Sequence, residues 1–250
     1  MKRIMLKVAY DGTNYHGWQI QPNGETIEGV LNRCISELLQ ERIEVIGASR
    51  TDSGVHAREN IAVFDTETLI PEKKVANALN ARLPEDIRIQ ESKEVPADFH
   101  PRKCDSRKTY EYRIYNAAFS MPTERLYSYF TYVPLDVERM QKAARYFIGI
   151  HDFKSFCSVD TQAENTVRHV ENVEVFKDGN LITIRVAGRG FLYNMVRIMA
   201  GTLMEAGRGR LEPEDIVRIL EAKDRAAAGP TAPACGLTLV QYEFLTDLVN

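Results

Sequence analysis

The decapeptide ASRTDSGVHA, residues 48–57, lies between two apolar runs and carries more chemistry than a connecting loop needs. A turn requires only Asp52-Ser53-Gly54, because a short carboxylate bonds nearby backbone and glycine tolerates positive φ. Arg50 and His56 are surplus to that job. With a reference pKa of about 3.9, Asp52 is ionised at neutral pH, and a neighbouring guanidinium favours the charged form further. A carboxylate presented at the tip of a tight turn can serve as a general base or a nucleophile. The plain alternative is an Asx-type turn in which Asp52 shapes backbone and does nothing else.

One hydrolytic use of Asp-Ser-Gly is excluded. Aspartic proteases need two carboxylates sharing a proton. Here the tripeptide occurs once, and Ser49-Arg50-Thr51 puts a cation where a shared-proton pair would be opposed. Two further clusters stand out, the first of which suits nucleic acid. In FHPRKCDSRKTYEYR, residues 99–113, aromatic side chains alternate with Lys and Arg, so cations can meet phosphates while rings stack on bases. The plain alternative is a strand with tyrosines on the core face and cations in water. In GRGFLYNMVRIMAGTL, residues 188–203, a glycine-rich turn precedes a helix containing Arg197. Phe191, Met195, Ile198 and Leu203 read as core. An arginine among apolar neighbours implies an anionic partner, for which Asp52 is a candidate. The glycines lack the GK[ST] ending of a phosphate-binding P-loop.

The four cysteines and five histidines show no CxxC, HxxxH or HExxH spacing, so no metal site is expected. The chain has no apolar run approaching the roughly 20 residues of a membrane span. Its N-terminus alternates rather than forming a signal-peptide core, so an intracellular soluble protein is expected. A formal net charge of −3 argues weakly against a nucleic-acid partner, but its distribution reverses that. Residues 99–113 carry a net +3 and residues 185–210 a net +4, while acids gather at 85–94 and 212–224. Screening lets local basic patches bind phosphates on an acidic body.

The elements that must position these residues follow from periodicity. Residues 3–10 alternate as a strand with Ile4, Leu6, Val8 and Tyr10 on one face. Ile27 through Leu39 repeats at helical spacing, capped by Thr26. Short strands at 44–48 and 60–65 bracket the decapeptide. A helix opens at Pro71 and runs to about Leu83, and a strand at 87–94 closes the first half. Next come a strand with Tyr110, Tyr112 and Ile114 on one face and a helix at 136–148 capped by Asp136. A hairpin joins 167–176 to 181–187 through Lys177-Asp178-Gly179-Asn180. Helices at 191–206 and 213–223 and a last strand at 237–244 complete the chain. Without regular βαβ alternation, this predicts an α+β protein of two similar halves, residues 1–105 and 106–250, built on a mostly antiparallel mixed sheet flanked by helices.

YDGTNYHGWQIQP, ASRTDSGVHA, FHPR followed by KTYEYRIYN, GIHDFKSF, GRGFLYNMVR and the final AP…GL together resemble the tRNA pseudouridine synthases of the TruA type. The resemblance runs in order from Tyr10 to the last strand. It implies the pseudouridine synthase fold with a central active-site cleft, and isomerisation of uridine to pseudouridine at positions 38, 39 and 40 of the tRNA anticodon arm. Asp52 matches the catalytic aspartate and Arg50 the arginine that helps extrude the target nucleotide. Tyr110 matches the tyrosine that stacks on the target base, and Arg197 the basic partner of the aspartate. Phe99, His100, Pro101, Arg102 and Lys103 match a tRNA-contacting stretch, with Arg102 the expected phosphate or base contact. The resemblance implies no cofactor or metal, a homodimer and a cytoplasmic location. After DFKSF, Asp160 and Glu164 face one cation, Arg168, so weak phosphate binding is expected there. A non-catalytic RNA-binding protein on the same scaffold is the alternative, as is a synthase with other target positions. His56 is left without a role.

Overall fold

The computed structural model describes residues 1–159 and 165–246. Asp160 and Glu164 lie outside them. Contacts divide the chain into two units: Met1–Ser106 with Leu239–Asn250, and Arg107–Thr238.

In the first unit the alternating apolar residues make β1 (Lys2–Tyr10), with Ile4, Leu6, Val8 and Tyr10 all buried. Helix α1 (Ile27–Leu39) follows, its Thr26 Oγ1 accepting the Gly29 N–H at 3.2 Å. That bond satisfies one of the N–H groups a helix start leaves without an intrahelical partner. Strand β2 is only Ile46–Gly47, whereas β3 (His56–Thr66) begins four residues earlier than its apolar run suggests. The cause is pairing: β3 lies antiparallel to β1 from Lys2↔Thr66 to Tyr10↔Ala57, with a bulge between Val8 and Tyr10. Helix α2 (Glu72–Asn80) has Pro71 as its cap rather than its first residue and stops before Leu83. Strand β4 (Ile87–Val95) pairs with the other edge of β1, giving the order β4-β1-β3.

The second unit contains β5 (Ser106–Asn116), β6 (Tyr129–Thr131), α3 (Val137–Ala144), β7 (Gly149–Asp152), β8 (Val167–Asp178), β9 (Leu181–Gly188), α4 (Met195–Gly207) and α5 (Asp215–Ala222). Its strands run in the order β5-β9-β8-β7, all antiparallel, and β6 adds to β5 in parallel. Asp136 caps α3 as its sequence suggests, accepting the Arg139 N–H at 3.1 Å. Gly179, at φ 55°, makes the hairpin between β8 and β9. Phe147, Phe153 and Phe156 are fully buried against one another, so the two phenylalanines of GIHDFKSF are core while Ile150 and Lys154 are exposed.

Helix α4 starts at Met195, not near Phe191. Gly190 at φ 81° and Asn194 at φ 60° turn the chain first, and a left-handed Asn cannot continue a right-handed helix. Strand β10 (Leu237–Phe244) ends the order of elements, and from Leu239 the chain belongs to the first unit. Tyr242 packs there with Met5, Ala48, Ile61, Val63, Val95 and Phe99, and its hydroxyl donates to Pro101 O at 2.8 Å. The protein is α+β, as its sequence predicts. Among the described residues no helix is long and apolar enough to cross a membrane.

Candidate active site

The stretch between β2 and β3 carries Asp52, and buried polar groups of the first unit pin both of its arms. On the incoming arm, Ser49 N–H donates to Asn60 Oδ1 at 3.2 Å and Asn60 Nδ2 donates to Ser49 O at 3.0 Å. The same Asn60 amide donates to Tyr10 Oη at 3.3 Å, and Tyr10 Oη lies 2.7 Å from Thr51 Oγ1. Since the amide group can only donate, the tyrosine hydroxyl accepts there and passes its own proton toward Thr51. Burial holds the Tyr10 hydroxyl well above the ordinary phenol pKa, the Thr51 and Asn60 bonds opposing it. It therefore stays a neutral donor.

The tip is gripped from the YDGTNYHGW segment. Trp18 N–H donates to Thr51 O at 3.0 Å, and Tyr15 O accepts from Gly54 N–H at 3.3 Å and Ser53 Oγ at 3.2 Å. Val55 N–H closes the turn onto Asp52 O at 3.1 Å, with Gly54 at φ 77°. These anchors hold the turn around a half-buried Asp52.

Asn60 is fully buried, and its replacement by Ala strands the Ser49 N–H and C=O and removes one bond from the Tyr10 hydroxyl. Asn60→Ala is expected to lower unfolding free energy by about 2–4 kcal/mol, read as a reduced urea midpoint at unchanged m value.

The residues of the FHPRK stretch separate by role. Phe99 is buried in the first unit's core, edge-on to Phe244 with ring centroids 5.7 Å apart, and Pro101 is buried while holding Tyr242. Both are expected from the sequence as RNA contacts, and both are buried. His100 is half-buried, its Nδ1 accepting the Arg102 N–H at 3.2 Å. Arg102 and Lys103 are exposed. Arg102 Nε donates to Gly47 O at 2.7 Å, which fixes the guanidinium beside the end of β2. Partial desolvation, then the charge of Arg50, lowers its pKa, with Glu28 acting the other way. Guanidinium stays protonated regardless. Two arginines, Arg50 and Arg102, thus repel each other next to the Asp52 turn, an arrangement an anion relieves.

In the second unit, Tyr110 on β5 is buried and edge-on to Phe191 at 5.3 Å. Tyr112 and Ile114 share its face, as alternation suggests. Arg197 is the third residue of α4 and half-buried. Its Nε donates to Ala232 O at 2.8 Å and its Nη1 to Asn194 Oδ1 at 2.7 Å. A cation in a helix's first turn opposes the macrodipole, typically by about 0.3–1 kcal/mol.

The basic patch at 185–210 is less available than its charge suggests. Arg185 pairs with Glu111 at 2.7 Å, Arg189 with Glu171 at 2.8 Å, and Arg208 and Arg210 with Glu205 at 2.6 and 3.0 Å. Arg107, from the other patch, also pairs with Glu171. Cross-strand pairing supplies carboxylates that a count along the chain assigns elsewhere. Among the described residues no group of three or more His, Cys, Asp or Glu could hold a metal ion.

Sequence reasoning passed over Asn60, Gly17 and Trp18 as parts of this site and took Tyr10 for core alone. Asn60 had a signal, a carboxamide at the head of the apolar run Ile61–Phe64, but its partner eleven residues earlier shows only in three dimensions.

A turn-mounted carboxylate, flanking arginines and an α+β frame define a class that a family comparison then specifies. A family model described as tRNA pseudouridine synthase matches residues 7–102 and 143–244, which include Asp52, Arg102 and Arg197 but not Tyr110. The chain belongs to the tRNA pseudouridine synthase family, a family of isomerases. It is similar to the tRNA pseudouridine synthase A of Caldicellulosiruptor bescii, 47% identical over 98% of this chain and 100% of the relative. That of Ruminiclostridium cellulolyticum is 48% identical with the same coverage, and that of Thermoanaerobacter pseudethanolicus 45% over 96% of this chain and 99% of its own.

Proposed function

We propose that the protein isomerises uridine to pseudouridine at positions 38, 39 and 40 of the tRNA anticodon arm, with Asp52 as its nucleophile. The observation that carries this is the turn at Asp52, held by Tyr15, Trp18 and Asn60 around a half-buried carboxylate. Family membership supplies the reaction class.

The uracil must leave its sugar nitrogen bond and rejoin through carbon, so the nucleotide first has to leave its stack. Extrusion costs a few kcal/mol, offset by a side chain filling the gap and by stacking in the pocket. Arg50, exposed two residues before Asp52, is the proposed wedge. Tyr110 and Arg197 are proposed to bind the substrate, and Arg102 with Lys103 to meet its backbone. We place the enzyme in the cytoplasm as a homodimer, which light scattering tests.

Arg102→Ala is expected to weaken tRNA binding and to reduce the slope of log K against log salt by about 1. An unchanged slope counts against a phosphate contact. The function itself is tested with tRNA tritiated at uridine C5. Wild-type protein should release tritium to solvent; tight tRNA binding with no release would mark a non-catalytic binder.

A further inference from the structure

We infer that His56 is a positioning residue for Asp52, a role that rests on the reading of Asp52 as the nucleophile. His56 is the first residue of β3, four residues past Asp52, and its side chain is buried. Its Nδ1 lies 3.1 Å from Gly12 N and 3.1 Å from Asp11 Oδ1. A single ring nitrogen cannot accept from an N–H and donate to a carboxylate at once. The choice between them follows from burial. Gly12 is buried, and a buried backbone N–H requires an acceptor. Asp11 Oδ1 already accepts from Thr13 N–H at 2.9 Å and Thr13 Oγ1 at 2.6 Å. Nδ1 therefore accepts the Gly12 N–H.

That bond matters because of where Gly12 sits. A Cβ there would fall 2.0 Å from Val55 O and 3.1 Å from Val55 N, so the Gly12 backbone lies directly against the outgoing arm of the Asp52 turn. Three residues on, Tyr15 O holds Ser53 and Gly54 at the tip. Tyr15 is anchored in turn by its hydroxyl, which donates to Asp86 Oδ1 at 2.6 Å, and Asp11 N–H donates to Asp86 O at 2.9 Å. Segment 11–15 is thus a brace across the turn, tied by Asp86 from behind and by His56 at the end that touches Val55. Without the Nδ1 acceptor, the Gly12 N–H loses its partner in a dry place and the brace shifts away from the turn it supports. A displacement of about 1 Å at a reacting group can cost about a hundredfold in rate.

The test measures single-turnover tritium release and tRNA affinity separately for wild type, H56A, H56N, H56Q and D52N, with thermal melts alongside. An asparagine carries its Oδ1 where Nδ1 stood, whereas a glutamine carries its carbonyl one bond farther out. H56A and H56Q are expected to slow the chemical step by about tenfold or more with tRNA affinity unchanged, and H56N to recover to within about threefold of wild type. A wild-type rate in H56A overturns the inference, as does a parallel loss of rate and affinity, or an H56N no faster than H56A. Should H56A fail to fold, H56N against H56Q decides, and equal rates overturn it. D52N separates the layers: an active D52N removes the nucleophile reading and this inference with it. An inactive D52N beside a fully active H56A overturns the positioning role alone.

Discussion

Replacing Asp52 by Asn is expected to lower pseudouridine formation at least about a thousandfold while tRNA affinity stays within about threefold of wild type. Asn is nearly isosteric, and the anchoring bonds through Thr51 O, Asp52 O, Tyr15 O and Ser53 Oγ are untouched by the change. The fold and the RNA surface should therefore survive the change. What disappears is the negative charge and the lone pair that a nucleophile or base must supply. Removing an anion beside Arg50 and Arg102 also reduces repulsion of phosphate, so affinity should hold or tighten. Filter binding and single-turnover tritium release on the same preparation read the two quantities separately. A variant that binds weakly and reacts in proportion would assign Asp52 to structure.

Gly17→Ala is expected to cost about a hundredfold in rate without touching any chemical group. Gly17 holds φ 82°, a conformation that strains any residue with a Cβ. The added carbon would stand 2.6 Å from Thr51 O, 3.0 Å from Asp52 C and 3.1 Å from Ser53 N, all main-chain atoms without rotamers to yield. The turn must move, and Asp52 moves with it. Because Trp18 N–H bonds Thr51 O next door, the displacement also strains that anchor. The variant should bind tRNA with near wild-type affinity, since Arg102 is fixed separately by Gly47 O. A Gly17→Ala enzyme of normal rate would show that the placement of the turn is not critical.

How much of this was legible in the sequence differs by element. Strand β1, the Thr26-capped α1 and the Asp136-capped α3 were legible because their signals are local: alternation, helical spacing and a capping side chain three residues from its donor. The start of β3 was not, because His56 and Ala57 become strand only by pairing with Tyr10. The start of α4 was missed because left-handed Asn194 looks like any helix residue in a string of letters. The placement of Leu239–Phe244 with the first unit is a long-range matter that no local pattern carries.

At the site, Arg50 and Asp52 stood out by residue type. Phe99 and Pro101 are buried, and an aromatic beside cations suits an RNA surface and a core equally well. His56 was surplus in sequence because its partner, Gly12 N–H, is a backbone group 44 residues away.

The most direct measurement incubates the wild-type protein with an unmodified tRNA transcript bearing uridine at positions 38, 39 and 40 and maps pseudouridine by carbodiimide labelling and primer extension. The account predicts pseudouridine at those three positions and nowhere else in the transcript. Pseudouridine at other positions, or none at all while the tRNA is bound, would contradict it.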